Sequence, residues 1–236
     1  MSVTLFGSCR IDNRSYNNNL NNDINYPHST KEIIQQIKFL MGIITFPEPF
    51  NKICFRTGIT ENKPIIYTSE FTKIFNESTI CFIEICSDKT YIFDNYYLHH
   101  LSVDKRYYEI YRNEDDLRLI KNTPQIILDN YKCIKQTYSE IENDILEIKK
   151  LLEPKKMILV THYNSKLNGE YLPSRNNLIT FLMTISEKYN IPIINPTVVL
   201  KDYEQHKVIK DDLGHYTYFG KIKMEEYLTE YIKNIL

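Results

Sequence analysis

Two short segments near opposite ends of the chain carry residue types that suit nucleophilic chemistry. Gly7 and Ser8 follow the apolar run 3–6, and Asp212 stands three residues before His215. A serine hydroxyl is a weak nucleophile until a neighbouring base takes its proton. An aspartate can hold an imidazole in the tautomer that leaves its other nitrogen open to the serine. The two segments therefore contain the residue types of a serine–histidine–aspartate arrangement, in which Asp212 could hold the tautomer of His215 while the other ring nitrogen faces Ser8.

The cysteines offer a second nucleophile and no metal site. Cys9 lies next to Arg10, whose charge could lower the pKa of the thiol; a buried, inert cysteine is the alternative. The odd total of five and the apolar neighbours of Cys54 and Cys81 favour buried free thiols over a disulfide framework. No cysteine or histidine pair has zinc-site spacing, so the sequence predicts neither disulfides nor a bound metal.

The elements that must position these residues alternate between strand and helix patterns. Apolar runs predict strands at 3–6, 53–56, 79–85, 156–160 and 191–195. Amphipathic spacing predicts helices that start at Ser29 and that span 124–152, 175–189 and 224–236. The alternation predicts an α/β fold, a three-layer α/β/α sandwich around a parallel sheet of about five strands. Residues 1–236 would form one domain, with polar insertions near 12–27 and 95–122.

The carboxyl ends of parallel strands meet at one edge of a sheet, where ligands usually bind. This rule places Gly58, the segment 84–88, His162 and Asn164 near Ser8, and Arg56 lies close to a predicted strand end. Arg56 could hold an anion or form an ordinary ion pair, and His162 and Asn164 become candidates for a substrate pocket. The adjacent residues His99 and His100 follow a tyrosine-rich stretch and are predicted to lie in a loop.

A second candidate binding site is the start of the helix that follows residue 28. Ser29 and Glu32 have the spacing of a capping box. Helix N-termini also favour anions, so His28, Ser29 and Lys31 could bind a phosphate of a nucleotide or of coenzyme A. A simple capping box without a ligand is the alternative interpretation.

A Gly-Ser turn after the first strand, combined with Asp-x-x-His before the last helix, resembles the SGNH (GDSL-like) hydrolase superfamily. The Gly-Ser-Cys form of the turn is similar to the GSCFA branch of that superfamily. The resemblance implies Ser8 as nucleophile, His215 as general base and acid, and Asp212 as the group that orients His215. It also makes the Ser8 backbone N–H an oxyanion donor. It also implies a glycine donor after the second strand, for which Gly58 is the candidate. The family's asparagine after the third strand is missing here, and Asn164 is a possible substitute.

The segments FGSCR, HSTKE and DLGHYT resemble, more narrowly, the sugar N-acetyltransferase domains of giant-virus glycan pathways. That resemblance implies an acyltransferase that takes an acetyl group from acetyl-CoA and passes it to a nucleotide-linked amino sugar. An esterase or deacetylase with the same triad is the first alternative. A non-catalytic glycan-binding module is the second, and the intact set of Ser8, Asp212 and His215 argues against it.

Composition restricts the partners. The formal net charge of −1 offers no general attraction to nucleic acid or to an anionic membrane. No run approaches the roughly 18 apolar residues of a membrane span, and residues 2–6 are too short for a secretory leader. The sequence therefore predicts a cytoplasmic enzyme, in the host cytoplasm if the protein is viral, that binds a sugar or nucleotide sugar. It does not predict an oligomeric state.

Overall fold

The computed structural model of the protein describes residues 2–8, 10, 24, 26–104 and 123–235. Its centre is a parallel sheet of four strands, β1 Ser2–Phe6, β2 Ser78–Glu84, β6 Lys156–Val160 and β9 Ile193–Ile194. Their order in the sheet is β1-β2-β6-β9. Two short strands, β7 Lys166–Leu167 and β8 Glu170–Tyr171, form a separate antiparallel pair. The prediction of an α/β fold with a parallel sheet is confirmed, with four strands where about five were expected.

Helices flank this sheet. The longer ones are α1 Thr30–Leu40, α4 Ser69–Glu77, α6 Tyr138–Leu152, α7 Pro173–Tyr189 and α10 Tyr218–Ile235. The shorter ones are α2 Phe50–Ile53, α3 Arg56–Thr60, α5 Gln125–Asn130, α8 Pro196–Val199 and α9 Gln205–Val208. Within the described ranges, none of these helices has the length and apolar character that crossing a membrane would need.

Alternate residues of each strand point to opposite faces of the sheet, and each face has its own hydrophobic cluster. Cys81 and Ile83 of β2 pack in a cluster with side chains of α1, α6 and α7. Ile80 and Phe82 of the same strand pack in a second cluster with side chains of α10. This explains why β2 and β6 are almost continuously apolar in sequence, since both of their faces are covered.

The strand predicted at 53–56 is wrong. This stretch contains the end of α2 and the start of α3, and Phe50 and Ile53 are both buried at helical spacing. A four-residue apolar run does not distinguish a strand from a short buried helix, because neither period can be recognised over so few residues. The loss of this strand is the reason why the parallel sheet has four strands.

The helical prediction for 124–152 is only partly right, because a strand interrupts it. Between α5 and α6 lies β5 Lys132–Lys135, which pairs with β3 Lys89–Phe93. Together with β4 Tyr96–Leu98 these strands form a separate antiparallel sheet in the order β4-β3-β5. The predicted insertion near 95–122 begins in the hairpin of β3 and β4. Its residues 105–122, like most of 12–27, lie outside the described residues.

Candidate functional site

Asp212 and His215 form a direct pair in the loop that precedes α10. The Nδ1 atom of His215 lies 2.7 Å from Asp212 Oδ2. Since a carboxylate can only accept, Nδ1 carries the proton and Nε2 is left to take one. The other carboxylate oxygen of Asp212 accepts the backbone N–H groups of Gly214 and His215. Partial burial opposes the carboxylate charge, but these hydrogen bonds outweigh it and lower the pKa of Asp212.

The loop is held in place through its backbone carbonyl groups. The carbonyl oxygen of Leu213 accepts the hydroxyl of Ser165 at 2.9 Å and a guanidinium N–H of Arg175. Leu213 itself has a positive φ of 57°, a conformation that non-glycine residues seldom adopt. Burial, with the charge of Arg10 nearby, lowers the pKa of Arg175 to about 10. Arg175 thus helps to hold the loop in place, a role that no feature of the sequence predicted.

Ser8 lies at the carboxyl end of β1, almost fully buried, and is bound to Glu84 at the end of the neighbouring strand β2. The hydroxyl of Ser8 donates to Glu84 Oε2 at 2.6 Å, and its backbone N–H donates to the same oxygen at 2.7 Å. The N–H that was predicted as an oxyanion donor therefore already has an acceptor within the protein. The strand-end rule selects Glu84 with the segment 84–88, but the sequence predicts no role for it.

Arg10 links the Ser8 turn to the His215 loop. Its Nε donates to Glu84 Oε1 at 3.0 Å, and its Nη1 donates to the carbonyl oxygen of Gly214 at 2.7 Å. Burial opposes the charge on Arg10, but the carboxylate of Glu84 outweighs it and raises the pKa of the guanidinium. The structure thus brings Asp212 and His215 into direct contact and connects Ser8 to their loop through Glu84 and Arg10.

The sequence of the chain can also be compared with known families. A family model described as the TviD N-terminal domain matches residues 1–120 and 117–230. The chain belongs to the TviD N-terminal domain family. The Vi polysaccharide biosynthesis protein TviD of Salmonella typhi is 24% identical to this chain over an alignment 253 residues long. The alignment covers 92% of this chain and 30% of that protein. The chain therefore spans less than a third of the length of this curated relative.

In this TviD N-terminal domain the predicted phosphate site at the start of α1 is occupied by the protein's own side chains. The hydroxyl of Ser29 caps the helix by accepting the N–H of Glu32, and the Glu32 carboxylate accepts the N–H of His28 at 3.4 Å. The ammonium of Lys31 lies 2.6 Å from Asp144 Oδ1. The N-cap role of Ser29 is confirmed, and its hydroxyl also donates to the Glu32 carboxylate. Ser29 and Lys31 thus have partners within the domain, and the phosphate role given to them stays a prediction.

His28 belongs instead to a cluster of three imidazoles with His99 and His100. His99 and His100 lie in the connection after β4, where His100 begins a short 3-10 turn, and both residues are buried. Burial, followed by the neighbouring imidazoles, lowers the pKa of His28 and of His99 well below the usual value. Nitrogen atoms of the three rings lie within 4.8 Å of one another, a spacing open to a metal ion. However, His99 accepts the N–H of Leu101 and contacts the carbonyl oxygen of Tyr26, so a metal would have to displace one of these contacts.

His162 and Asn164 follow β6 at the same edge of the sheet as Ser8. The ring Nδ1 of His162 lies 3.3 Å from the carbonyl oxygen of Tyr163. Burial, then the charges of Arg10 and Arg175, lower the pKa of His162 well below its usual value. The backbone N–H of Asn164 donates to Thr197, and its side-chain amide donates to Asn176. Both donors that would suit an oxyanion are thus engaged inside the domain.

Gly58 and Arg56 lie in α3, not at a strand end. A Cβ atom at Gly58 would lie 2.4 Å from the carbonyl oxygen of Lys52, so this glycine permits the close contact between α2 and α3. The guanidinium of Arg56 stacks on the ring of Tyr26 at 4.3 Å. The expectation that Gly58 follows a strand is wrong, because the predicted strand is absent. The alternative nucleophile Cys9 lies outside the described residues.

Proposed function

We propose that this domain transfers an acyl group to a sugar in polysaccharide biosynthesis. The supporting observation is the Asp212–His215 pair, half-exposed and tied through Arg10 to the buried Ser8 turn. The similarity to a protein named for Vi polysaccharide biosynthesis supports the pathway class. In the specific form of the proposal, acetyl-CoA is the donor and a nucleotide-linked amino sugar is the acceptor. Such an acceptor would be met in the cytoplasm.

His215 is the general base of the proposed reaction. Its Nε2 takes a proton from the attacking group, and Asp212 stabilises the resulting imidazolium. If the acceptor amine attacks directly, a C–N bond forms at the acetyl carbon and the C–S bond to coenzyme A breaks. His215 then returns the proton to the leaving thiolate. The exposure of His215, at 45% of its side chain, leaves room for a large acceptor beside it.

Ser8 supports a second version of the same reaction, with an acetyl-serine intermediate. In this version the Ser8 hydroxyl must rotate away from Glu84, to which it donates in the structure. Its oxygen forms an ester as the C–S bond breaks, and the amine then displaces the serine oxygen. The engaged N–H of Ser8 must also be released if it is to stabilise the oxyanion. The SGNH-type sandwich remains our interpretation of the four-stranded sheet and its flanking helices.

Release of free thiol from acetyl-CoA in the presence of a panel of UDP-amino sugars tests the proposal. His215→Ala should abolish sugar-dependent release, and the matched control His206→Ala should retain it, because His206 is exposed and its contact is with Glu204. Ser8→Ala abolishes release only if the acetyl-serine forms. Its control is Ser78→Ala, a buried serine at the opposite end of the sheet.

The outcomes separate the remaining functions. Release that does not depend on sugar, or turnover of simple acetyl esters alone, would make the domain a hydrolase. A wild-type protein that binds the sugars but turns over no donor would contradict the acyltransferase proposal and indicate a glycan-binding module. Retention of activity in His215→Ala would remove His215 from the mechanism.

A further inference from the structure

Glu84 is a buried carboxylate that the proposed chemistry does not use. It is the last residue of β2, is 1% exposed, and follows Ile80 and Phe82 on the α10 face of the sheet. A carboxylate in such a place is costly unless each oxygen is compensated. Both oxygens are compensated here, Oε2 by the N–H and hydroxyl of Ser8 and Oε1 by Arg10. Because this buried charge lies on the same face of the sheet as the His215 loop, we expect it to have a role in the site.

Arg10 extends the contact from Glu84 to the opposite side of the site. It is also buried, at 8% exposure, and its Nη1 donates to the carbonyl oxygen of Gly214, the residue before His215. Its backbone N–H donates to the Ser8 hydroxyl at 3.3 Å. The chain separation between Arg10 and Gly214 is large, so no local structure fixes the distance between the two segments. The guanidinium provides that connection, through planar donors that point in two fixed directions.

We infer that Glu84 and Arg10 act together as a positioning pair that sets the Ser8 turn against the Asp212–His215 loop. Glu84 fixes the backbone and hydroxyl of Ser8, and it orients Arg10 so that Arg10 fixes Gly214. The pair contacts neither donor nor acceptor. The inference deepens the proposed function, on which it rests for the role of His215, and adds two positioning residues to it.

Kinetic variants test the pairing. Glu84→Gln and Arg10→Gln should each lower kcat by at least about tenfold with little change in KM, and the double variant should be no slower than the worse single variant. The two effects are not additive because either substitution alone already removes the connection between the Ser8 turn and the His215 loop. The control is Asp144→Asn, which removes another buried carboxylate, the partner of Lys31, on the other face of the sheet. It should lose stability without the same loss of kcat.

The pH profile distinguishes positioning from proton transfer. In Glu84→Gln the profile of kcat should keep the same ionisations as in the wild type, at a lower plateau. Loss of one limb of the profile would mean that Glu84 accepts a proton, which would overturn the positioning role. Arg10→Lys is a milder variant that keeps the charge but not the two-directional donors, and it should show an intermediate kcat.

A measurement without substrate separates this inference from the proposed function. Hydrogen exchange of the peptide that covers residues 210–216 should be about tenfold faster or more in Glu84→Gln and Arg10→Gln, because a charged hydrogen bond to the loop is lost. Asp144→Asn should leave this peptide unchanged. Unchanged exchange in both site variants would overturn the inference even in an active enzyme. Faster exchange in a protein that turns over no donor would uphold the pair and refute only the acyltransferase proposal.

Discussion

Acid should destabilise this protein through His162, and the effect can be isolated. Burial and the charges of Arg10 and Arg175 keep His162 neutral in the folded state, with its pKa well below the usual value. In the unfolded chain the same imidazole takes up a proton near pH 6.5. The unfolded state therefore binds more protons below that pH, so the contribution of His162 to stability is fully present above about pH 6.5 and is lost as the pH falls.

The magnitude follows from proton linkage. Between pH 7.5 and pH 5.5 the imidazole of His162 becomes protonated in the unfolded chain, while burial keeps it neutral in the native state. The difference in bound protons acts over about one pH unit, from pH 6.5 to pH 5.5. This corresponds to a loss of about 1.4 kcal/mol from His162 alone. His28 and His99 act in the same direction. Glu32 acts in the opposite direction, since burial raises its pKa to about 7 and acid then neutralises a buried charge. The pH dependence of the wild-type protein alone is therefore not diagnostic.

Urea unfolding of the wild type and His162→Gln at the two pH values cancels these other groups. We expect the difference in unfolding free energy between the two proteins to shift by about 1.4 kcal/mol in favour of the variant at pH 5.5. His206→Gln is the matched control for the replacement of a histidine by glutamine, because His206 is exposed. A difference for His162→Gln that stays constant between the two pH values would refute the argument that His162 is held neutral by burial.

Three further substitutions test packing, the phosphate site and the base. Gly220→Ala should lower the unfolding temperature: a Cβ there would lie 2.2 Å from the carbonyl oxygen of Val208, and overpacking of about 1–3 kcal/mol exceeds a helix-propensity gain of about 1 kcal/mol. Lys31→Met should destabilise the protein in urea unfolding, because Asp144 stays buried without its cation, while the KM for acetyl-CoA does not change; a raised KM would restore Lys31 to the binding site. Asp212→Asn should lower kcat about 100-fold or more in the thiol-release assay, with the unfolding temperature almost unchanged, because the pair is half-exposed.

The sequence alone determined the features that depend on local pattern. Strands β1, β2 and β6 were recognisable because their runs are apolar on both faces, and α1 because Ser29 and Glu32 have capping-box spacing. The Asp212–His215 pair could also be predicted, since three residues in one loop are enough to bring a carboxylate to an imidazole. These predictions involve residues that are close together in the chain, for which the spacing in sequence largely fixes the distance in space.

Tertiary structure alone decided which residues meet across the site. Glu84 and Gly214 are far apart in sequence, and nothing in the spacing indicates that one guanidinium, that of Arg10, contacts both. Likewise the packing of α6 on α1 brings Asp144 to Lys31, a contact that the sequence did not predict. A buried charge takes whichever partner the packed elements bring to it, because leaving it uncompensated is costly. That choice depends on the relative placement of helices and strands, which local sequence pattern does not encode.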